Sequence, residues 1–346
     1  MDLSGDHLTR TKICVGSRKS QLAMVQTEWV INKLKLQHPW LQFEVITLDT
    51  IGDNILDRPL SQIGEKALFT RELEDQLLAG NVDLIVHSLK DMPTTLPDNY
   101  PTDSLVLRTG LSIPSNQQFE RTISDVKVFG TSSLRRMAQL RFIKHEVEVK
   151  DMRGNLNTRL RKLDDYENNK IDCLVLATAG LIRNGQGDRI SQRLPWYHAV
   201  SQGALGIECR LDDEFLLNRI LPGLSNNKSM IECTAERVLM KCLEGGCSVP
   251  IGVRSKWLDS NTIQLEAIVL SLDGKRKVES DESRKITEPI DKQLVWSIED
   301  YAYLAVDDDR LIPMKNAVIL GRNLAAKMIE LGVQQILSEI NKQKKL

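Results

Sequence analysis

Apolar residues along this chain recur in two rhythms, and their alternation predicts the architecture. From Lys12 the pattern reads strand, glycine turn, helix, strand. KICVG (12–16) is a short extended run. Leu22, Val25, Trp29 and Leu34 then return at helical spacing, which predicts a helix over 21–37, capped by Ser17 or Ser20 and ended by Pro39. FEVITL (43–48) follows as a strand, and a helix is expected over 70–79 with Gly80 as its stop. The run 83–89 is apolar through its centre, as in a parallel strand buried on both faces. Pro93, Pro97 and Pro101 then mark a crossing to a second unit. That unit repeats the grammar: strands at 126–130, 147–152 and 171–180, with helices from Leu134 and over 155–168.

Residues 199–221 come after the second unit and are expected to return to the first. Beyond Gly223 the character changes. A helix over 233–243 stops at Gly245-Gly246, strands follow at 249–255 and 262–272, Asp273-Gly274 makes a hairpin turn, and a last helix covers 315–331. Residues 279–310 read as an acidic, irregular surface insertion. The expected fold class is α/β: two domains of mostly parallel sheet, of the periplasmic-binding-protein kind, flanking a cleft, with a smaller C-terminal α+β domain. The expected domains are 11–106 plus 199–221, then 107–198, then 224–346. Ligands of such sheets sit at the carboxyl ends of the strands.

Composition changes this picture little. The chain has 346 residues, enough for two or three domains, and 41% apolar and 27% charged residues are ordinary for a soluble protein. No apolar run approaches the roughly 18 residues a membrane span needs. The opening MDLSGDHLTRTKICVG lacks the apolar core of a signal peptide, so the expected location is cytoplasmic. Six cysteines, with no C-x-x-C pair and no matching His pair, make structural zinc and disulfides unexpected; Cys14, Cys173 and Cys209 read as inert packing.

Charge placement says more than charge content. The chain is almost neutral, with 46 Lys+Arg against 47 Asp+Glu. Yet 130–162 holds Arg135, Arg136, Arg141, Lys144, Lys150, Arg153, Arg159, Arg161 and Lys162 against only Glu146, Glu148 and Asp151. Guanidinium binds carboxylate or phosphate through paired hydrogen bonds, so the cluster points to an anionic ligand. Gly130-Thr131-Ser132-Ser133-Leu134-Arg135-Arg136 opens a helix, where free N–H groups and the helix dipole already favour an anion. Plain capping by Thr131 or Ser132 is expected there in any case. Two adjacent helix residues point about 100° apart, so a single group does not easily engage both arginines, whereas a ligand with several carboxylates would. Arg153-Gly154-Asn155 and Arg18, each at a strand-to-helix corner, repeat the logic.

Two further residues stand out. Asp91 closes His87-Ser88-Leu89-Lys90-Asp91 at a strand's carboxyl end. It either pairs with Lys90 or serves a developing positive charge. At an effective dielectric near 20, a carboxylate about 4 Å from a cation is worth roughly 4 kcal/mol, about three orders of magnitude if the cation exists only in the transition state. Cys247, on the glycine loop Leu243-Glu-Gly-Gly-Cys247, suits covalent attachment or nucleophilic chemistry. No phosphate loop, dinucleotide fingerprint or H-E-x-x-H motif supports nucleotide or zinc chemistry.

Taken in order, VGSRKSQLA, GEKALFTRELE, VHSLKDMPT, GTSSLRR, RGNLNTRL, LATAGLIR, QGALGIE and LEGGCSVPIG closely resemble the porphobilinogen deaminase (hydroxymethylbilane synthase) family, from Lys12 to about Leu272. The resemblance implies a transferase of haem synthesis that joins four porphobilinogen molecules head to tail and releases ammonia. It also implies a dipyrromethane cofactor on a thioether to Cys247, and no metal. Asp91 falls on the family's catalytic aspartate, which stabilises the azafulvene cation left by ammonia. By the same resemblance Lys90, Ser88, Thr131, Ser132, Ser133, Arg135, Arg136, Arg153 and Gly154 would hold the cofactor. Arg18, Gln26, Lys66, Phe69, Arg159, Arg183 and Gln202 would contact substrate, with Phe69 on a loop that acts as a lid. Gln62 stands where the family has lysine, and Ser201 where it has glycine. A monomer working on a small molecule, with no membrane or nucleic-acid partner, is expected. The rival reading is a non-catalytic binding protein, which two lobes and a cationic cleft also describe but which leaves Asp91 and Cys247 unexplained. A nucleic-acid binder is more distant, because the basic stretch lacks interleaved aromatics and only 5% of residues are aromatic.

Overall fold

The structure, a computed structural model, describes residues 10–50, 70–90, 101–114, 117–243, 249–290 and 310–343. Three sheets organise them. In the first, β1 (Lys12–Arg18), β2 (Gln42–Leu48) and β3 (Leu84–Ser88) run parallel, and β9 (Leu205–Cys209) adds to β3 antiparallel, giving the order β2-β1-β3-β9. The chain thus does return to its first sheet after building the second. Helix α1 (Gln21–Gln37) starts at Ser20, whose hydroxyl accepts from Ala23 N–H, and α2 (Arg71–Leu78) covers the opposite face through Leu73 and Leu77.

The inward face of α1 differs from the expected stripe. Ala23, Gln26, Thr27, Val30, Ile31 and Leu34 are buried, while Leu22, Val25 and Trp29 are only partly covered. Two polar residues disguise the face. Thr27 donates to Ser17 at 2.8 Å and Gln26 Nε2 to Ser88 Oγ at 3.0 Å, so both are satisfied where a hydrophobic residue would be sought.

The second sheet has the order β6-β5-β7-β4-β8. Here β5 (Val128–Gly130), β6 (Glu148–Lys150) and β7 (Cys173–Ala177) are parallel, while β4 (Asp103–Leu107) runs antiparallel to both β7 and β8 (Gln192–Arg193). A boundary at 106 therefore cuts β4, which hydrogen-bonds only within the second sheet; the crossing is complete by Asp103. Around this sheet lie α3 (Phe119–Asp125), α4 (Leu134–Ile143), α5 (Leu156–Asp164), the single turn α6 (Tyr166–Asn169) and α7 (Thr178–Arg183). The segments read as a helix to 168 and a strand to 180 both end early. Asp165, whose side chain accepts from Asn168, breaks the first, and the second turns helical at Thr178. The cap of α4 is Ser133, accepting from Arg136 N–H, rather than Thr131 or Ser132.

In the third unit α8 (Asn227–Cys242) begins six residues earlier than apolar spacing suggests, because Asn226 caps it on Ser229 N–H. Strands β10 (Ile251–Trp257), β11 (Thr262–Leu270) and β12 (Lys277–Lys285) form an antiparallel sheet. Strand β12 corrects the reading of an irregular insertion from 279: KVESDESRK is an edge strand with Lys277, Glu279, Asp281 and Lys285 facing water. On its covered side Glu282 and Arg284 pair with Lys327 and Glu288, so it shows no apolar alternation. Helix α9 (Leu311–Glu330) packs on α8, and α10 (Val333–Gln343) closes the unit. Gly321 allows the α8–α9 contact, since a Cβ there would stand 2.5 Å from the Ala235 carbonyl. Residues 291–309 lie outside the described residues.

The third unit docks on the return crossing of the first two. His198 and Val253 exchange backbone hydrogen bonds at 3.0 and 2.9 Å, and Arg141 on α4 donates to the Leu272 carbonyl. Glu236 on α8, 3% exposed, accepts from Ser201 N–H at 2.7 Å and Ser255 Oγ at 2.8 Å. Ser201 has φ +57°, a left-handed conformation normally left to glycine.

Candidate active site

The carboxyl ends of β1 and β3 and the start of α1 form the first wall of the site. A recess there is lined by Arg18, Gln26, Val86, His87 and Ser88 among others, bringing together three of the residues expected at substrate or cofactor. Gln26 is 4% exposed, and its bond to Ser88 fixes both side chains. Lys90 follows on the exposed turn after β3. Asp91, Lys66, Phe69, Gln62 and Cys247 lie outside the described residues.

The second wall is the set of strand-to-helix corners after β5, β6 and β7. Thr131, Ser132 and Ser133 are used locally: Thr131 Oγ1 accepts from Ser133 N–H, Ser132 Oγ donates to the Met152 carbonyl at 2.6 Å, and Ser133 caps α4. Gly154 has φ +106°, and a Cβ would meet Thr158 at 2.7 Å, so the turn into α5 requires glycine. Arg153 Nε donates to Asp151 at 2.8 Å, and Arg159 Nε to the Gly154 carbonyl at 2.7 Å. Arg183 Nη2 donates to the Gly203 carbonyl at 2.6 Å, tying α7 to the strap before β9. Across the gap, Asn157 at the start of α5 hydrogen-bonds Gln21 at the start of α1.

Electrostatics single out one corner. Burial, and then the neighbouring guanidiniums of Arg136 and Arg153, pull Arg159 down to about 10, with Asp151 alone opposing. Burial works against Asp151, but hydrogen bonds from Arg153 and Ser132 hold its carboxyl below the ordinary range. The guanidiniums of Arg153 and Arg159 therefore share this corner with one half-exposed carboxylate, while Arg136, itself paired with Asp103, adds positive charge beside them. An additional carboxylate delivered there would relieve the strain on Arg159.

Arg135 and Arg136 are placed differently from expectation. Their guanidiniums converge on one carboxylate, Asp103, instead of diverging. Arg136 Nε and Nη2 donate to its Oδ1 at 3.0 and 2.6 Å, and Arg135 Nη2 to its Oδ2 at 2.8 Å. Length explains it: each side chain reaches round α4 to meet at the first residue of β4. Gln202, 1% exposed, joins the same cluster through Asp103 and the Pro101 carbonyl. Asp103, Trp196 and Glu236 went unnoticed in the sequence. The one available signal was a carboxylate opening the otherwise apolar strand DSLVL.

Burial pushes up the thiols of Cys14, Cys173, Cys209, Cys233 and Cys242, as suits packing residues rather than nucleophiles. Among the described residues no group of three or more His, Cys, Asp or Glu could hold a metal, and no helix is long and apolar enough to cross a membrane.

Two α/β units with arginine-bearing strand-to-helix corners, and a third unit docked on their crossing, define a two-lobed binding fold with cationic strand ends. Family models match it twice: "Porphobilinogen deaminase, dipyromethane cofactor binding domain" over residues 13–218 and "Porphobilinogen deaminase, C-terminal domain" over 230–330. It is 42% identical over 348 residues to a porphobilinogen deaminase of Dictyostelium discoideum, covering 96% of this chain and 98% of that one. It is 41% identical over 340 residues to that of Synechococcus sp. strain CC9311, covering 94% and 96%, and 48% identical over 290 residues to that of Synechococcus elongatus, covering 80% and 88%. The chain belongs to the porphobilinogen deaminase family, and is thus a transferase with a dipyrromethane-binding domain. Among solved structures it is similar to the VFT2 domain of Bordetella pertussis BvgS, with 17% identity, coverage of 63% and 90%, and a TM-score of 0.37.

Proposed function

We propose that this chain joins four porphobilinogen molecules head to tail into hydroxymethylbilane, releasing one ammonia at each addition, on a dipyrromethane group tethered to Cys247. The observation that carries the reading is Arg159, half-buried beside Arg136 and Arg153, with its Nε on the Gly154 carbonyl. Porphobilinogen and its oligomers carry paired carboxylates, which are the partners this corner lacks. Bound dipyrromethane supplies an electron-rich pyrrole carbon as the point of extension.

The residues divide the work by charge. Arg153, Arg159 and the remaining donors of Arg135, Arg136 and Arg183 bind acetate and propionate groups; Thr131, Ser132, Ser133 and Gly154 shape the same wall. Arg18, Gln26, Ser88 and Lys90 orient the rings from the first wall, with Lys66, Phe69 and Gln202 beside the incoming substrate. Asp91 holds pyrrole N–H groups and steadies the positive charge that develops on substrate as ammonia departs. Residues 11–102 with 199–221, then 103–198, then 224–346 act as three domains, and the protein works as a cytosolic monomer.

Intact-protein mass tests this directly. The purified chain should exceed its polypeptide mass by one dipyrromethane, and Cys247→Ser should remove the excess. A bare polypeptide mass after incubation with porphobilinogen would sink the reading and favour a non-catalytic binder.

A further inference from the structure

Asp103 is completely buried at the first residue of β4, immediately after the chain crosses from the first unit to the second. Its carboxylate accepts from five donors. Arg135 Nη2 and Trp196 Nε1 reach Oδ2 at 2.8 and 2.9 Å; Arg136 Nε, Arg136 Nη2 and Gln202 Nε2 reach Oδ1 at 3.0, 2.6 and 3.0 Å. Three donors come from α4, and two from the return crossing that carries Trp196 and Gln202. One carboxylate therefore ties the arginine helix to both passages between the units.

We propose that Asp103 is a positioning residue for the reaction: with Gln202 bonded beside it, it sets the Arg135–Arg136 fork relative to the inter-unit crossings, so that the unused guanidinium donors meet ligand carboxylates at a fixed place. The inference rests on the proposed binding role of those two arginines. Donor accounting supports it. A guanidinium has five N–H bonds. Arg136 spends three, on Asp103 and on the Val175 carbonyl at 3.0 Å, which leaves one hydrogen on each Nη. Arg135 also donates to the Tyr197 carbonyl at 2.6 Å and to Gln202 Oε1 at 3.4 Å, while its Nε is buried with no partner among the described residues. A group built only for stability would satisfy that donor.

Charge points the same way. Asp103 balances one of two buried guanidiniums, and Arg159 stands beside Arg136 as an additional positive group. The cluster is rigid yet still short of negative charge, which is what preorganised anion binding requires. Gln139 completes the clasp by donating to the Tyr197 carbonyl and accepting from Tyr197 N–H, so α4 and the return crossing move as one body.

The test compares Asp103→Glu, Asp103→Asn and Leu105→Ala with the wild type. Asp103→Glu keeps the charge and displaces the fork by about one bond length. Displacements of this order cost up to about a hundredfold in productive geometry, so KM for porphobilinogen should rise about tenfold. The turnover of cofactor-loaded molecules, normalised by intact mass, should change far less. Asp103→Asn should show the larger rise in KM and a reduced fraction carrying the cofactor. Leu105→Ala, a core truncation in the same strand, should lower Tm without moving KM. If Asp103→Asn does not fold, Trp196→Phe removes a single donor and should still raise KM measurably. Wild-type KM and cofactor occupancy in Asp103→Glu and Trp196→Phe would overturn the proposal, as would an equal KM rise in Leu105→Ala. A wild type without the cofactor mass would instead sink the functional reading beneath it.

Discussion

Two corners of the second unit share a sequence grammar and reach different ends. At 130–136 and at 153–159, a glycine near a strand's carboxyl end leads into a helix bearing arginines. In the first corner both guanidiniums turn inward and close on Asp103, at 5% and 8% side-chain exposure. In the second, Arg153 meets half-exposed Asp151, and among the described residues Arg159 bonds a backbone carbonyl and no carboxylate. Helix phase and one distant residue decide the outcome: α4 lays its arginines over a strand that begins with aspartate, whereas α5 faces no such strand. The first corner is a finished structural joint with donors to spare. The second is an unfinished one, and in the proposed function a ligand carboxylate would complete it.

Removing one member from each corner should separate them. Arg136→Ala leaves Asp103 buried with half its charge partners gone, and breaking such pairs costs about 3–5 kcal/mol. Denaturant unfolding should show that loss. Arg159→Met, by contrast, removes a cation that burial disfavours, so stability should hold or rise while KM for porphobilinogen climbs at least about tenfold. Equal stability losses in the two variants would erase the distinction between the corners.

A second pair of buried groups, at the joint with the third unit, sharpens the contrast through pH. Burial pushes Glu236 up to about 7 despite hydrogen bonds from Ser201 and Ser255. In that case the folded state binds the proton more tightly, so the contribution is fully present below about 4.5 and is lost as pH rises through 7. Burial drives His198 the opposite way, to about 4. The unfolded chain then binds the proton, and stability from His198 is present above about 6.5 and lost as pH falls toward 4. Between pH 4.5 and 6.5 the two slopes oppose each other. Glu236→Gln should unmask the His198 slope, giving stability that rises with pH by up to about 3 kcal/mol across that window. A flat profile in the variant would show that His198 is not buried and neutral.

Two smaller effects remain. Arg153→Ala should lower the cofactor-loaded fraction with about 1 kcal/mol or less of stability change, since Asp151 is exposed. Ser201→Gly should relieve about 1 kcal/mol of left-handed strain, partly offset by a looser unfolded chain. No change in loading for the first, or a destabilised second, would count against the geometry described.

Legibility in the sequence followed local physics. The order of strands and helices was readable because each unit repeats one short pattern; the Asp273-Gly274 turn announced itself, while the cap of α1 was narrowed to Ser17 or Ser20 and the structure selects Ser20. Elements hidden by polar residues were not. Gln26 and Thr27 disguise the inner face of α1, the charges of KVESDESRK conceal an edge strand, and Asn226 starts α8 before its apolar spacing begins. At the site, the arginines were visible because their type and position carry meaning alone. Their partner was not: Asp103 lies 32 residues from Arg135 and acquires its role only when β4, α4 and the return crossing are brought together.

Gly321 carries a last consequence. By letting α9 press against the Ala235 carbonyl, it locks α8 along its own axis, so the end of that helix at Cys242 is a fixed mooring. Cys247 follows five residues later, and five residues of chain span at most about 17 Å. If the proposed attachment at Cys247 holds, its anchor would stay within that reach of a packed helix end, and a lengthening product would have to grow away from it.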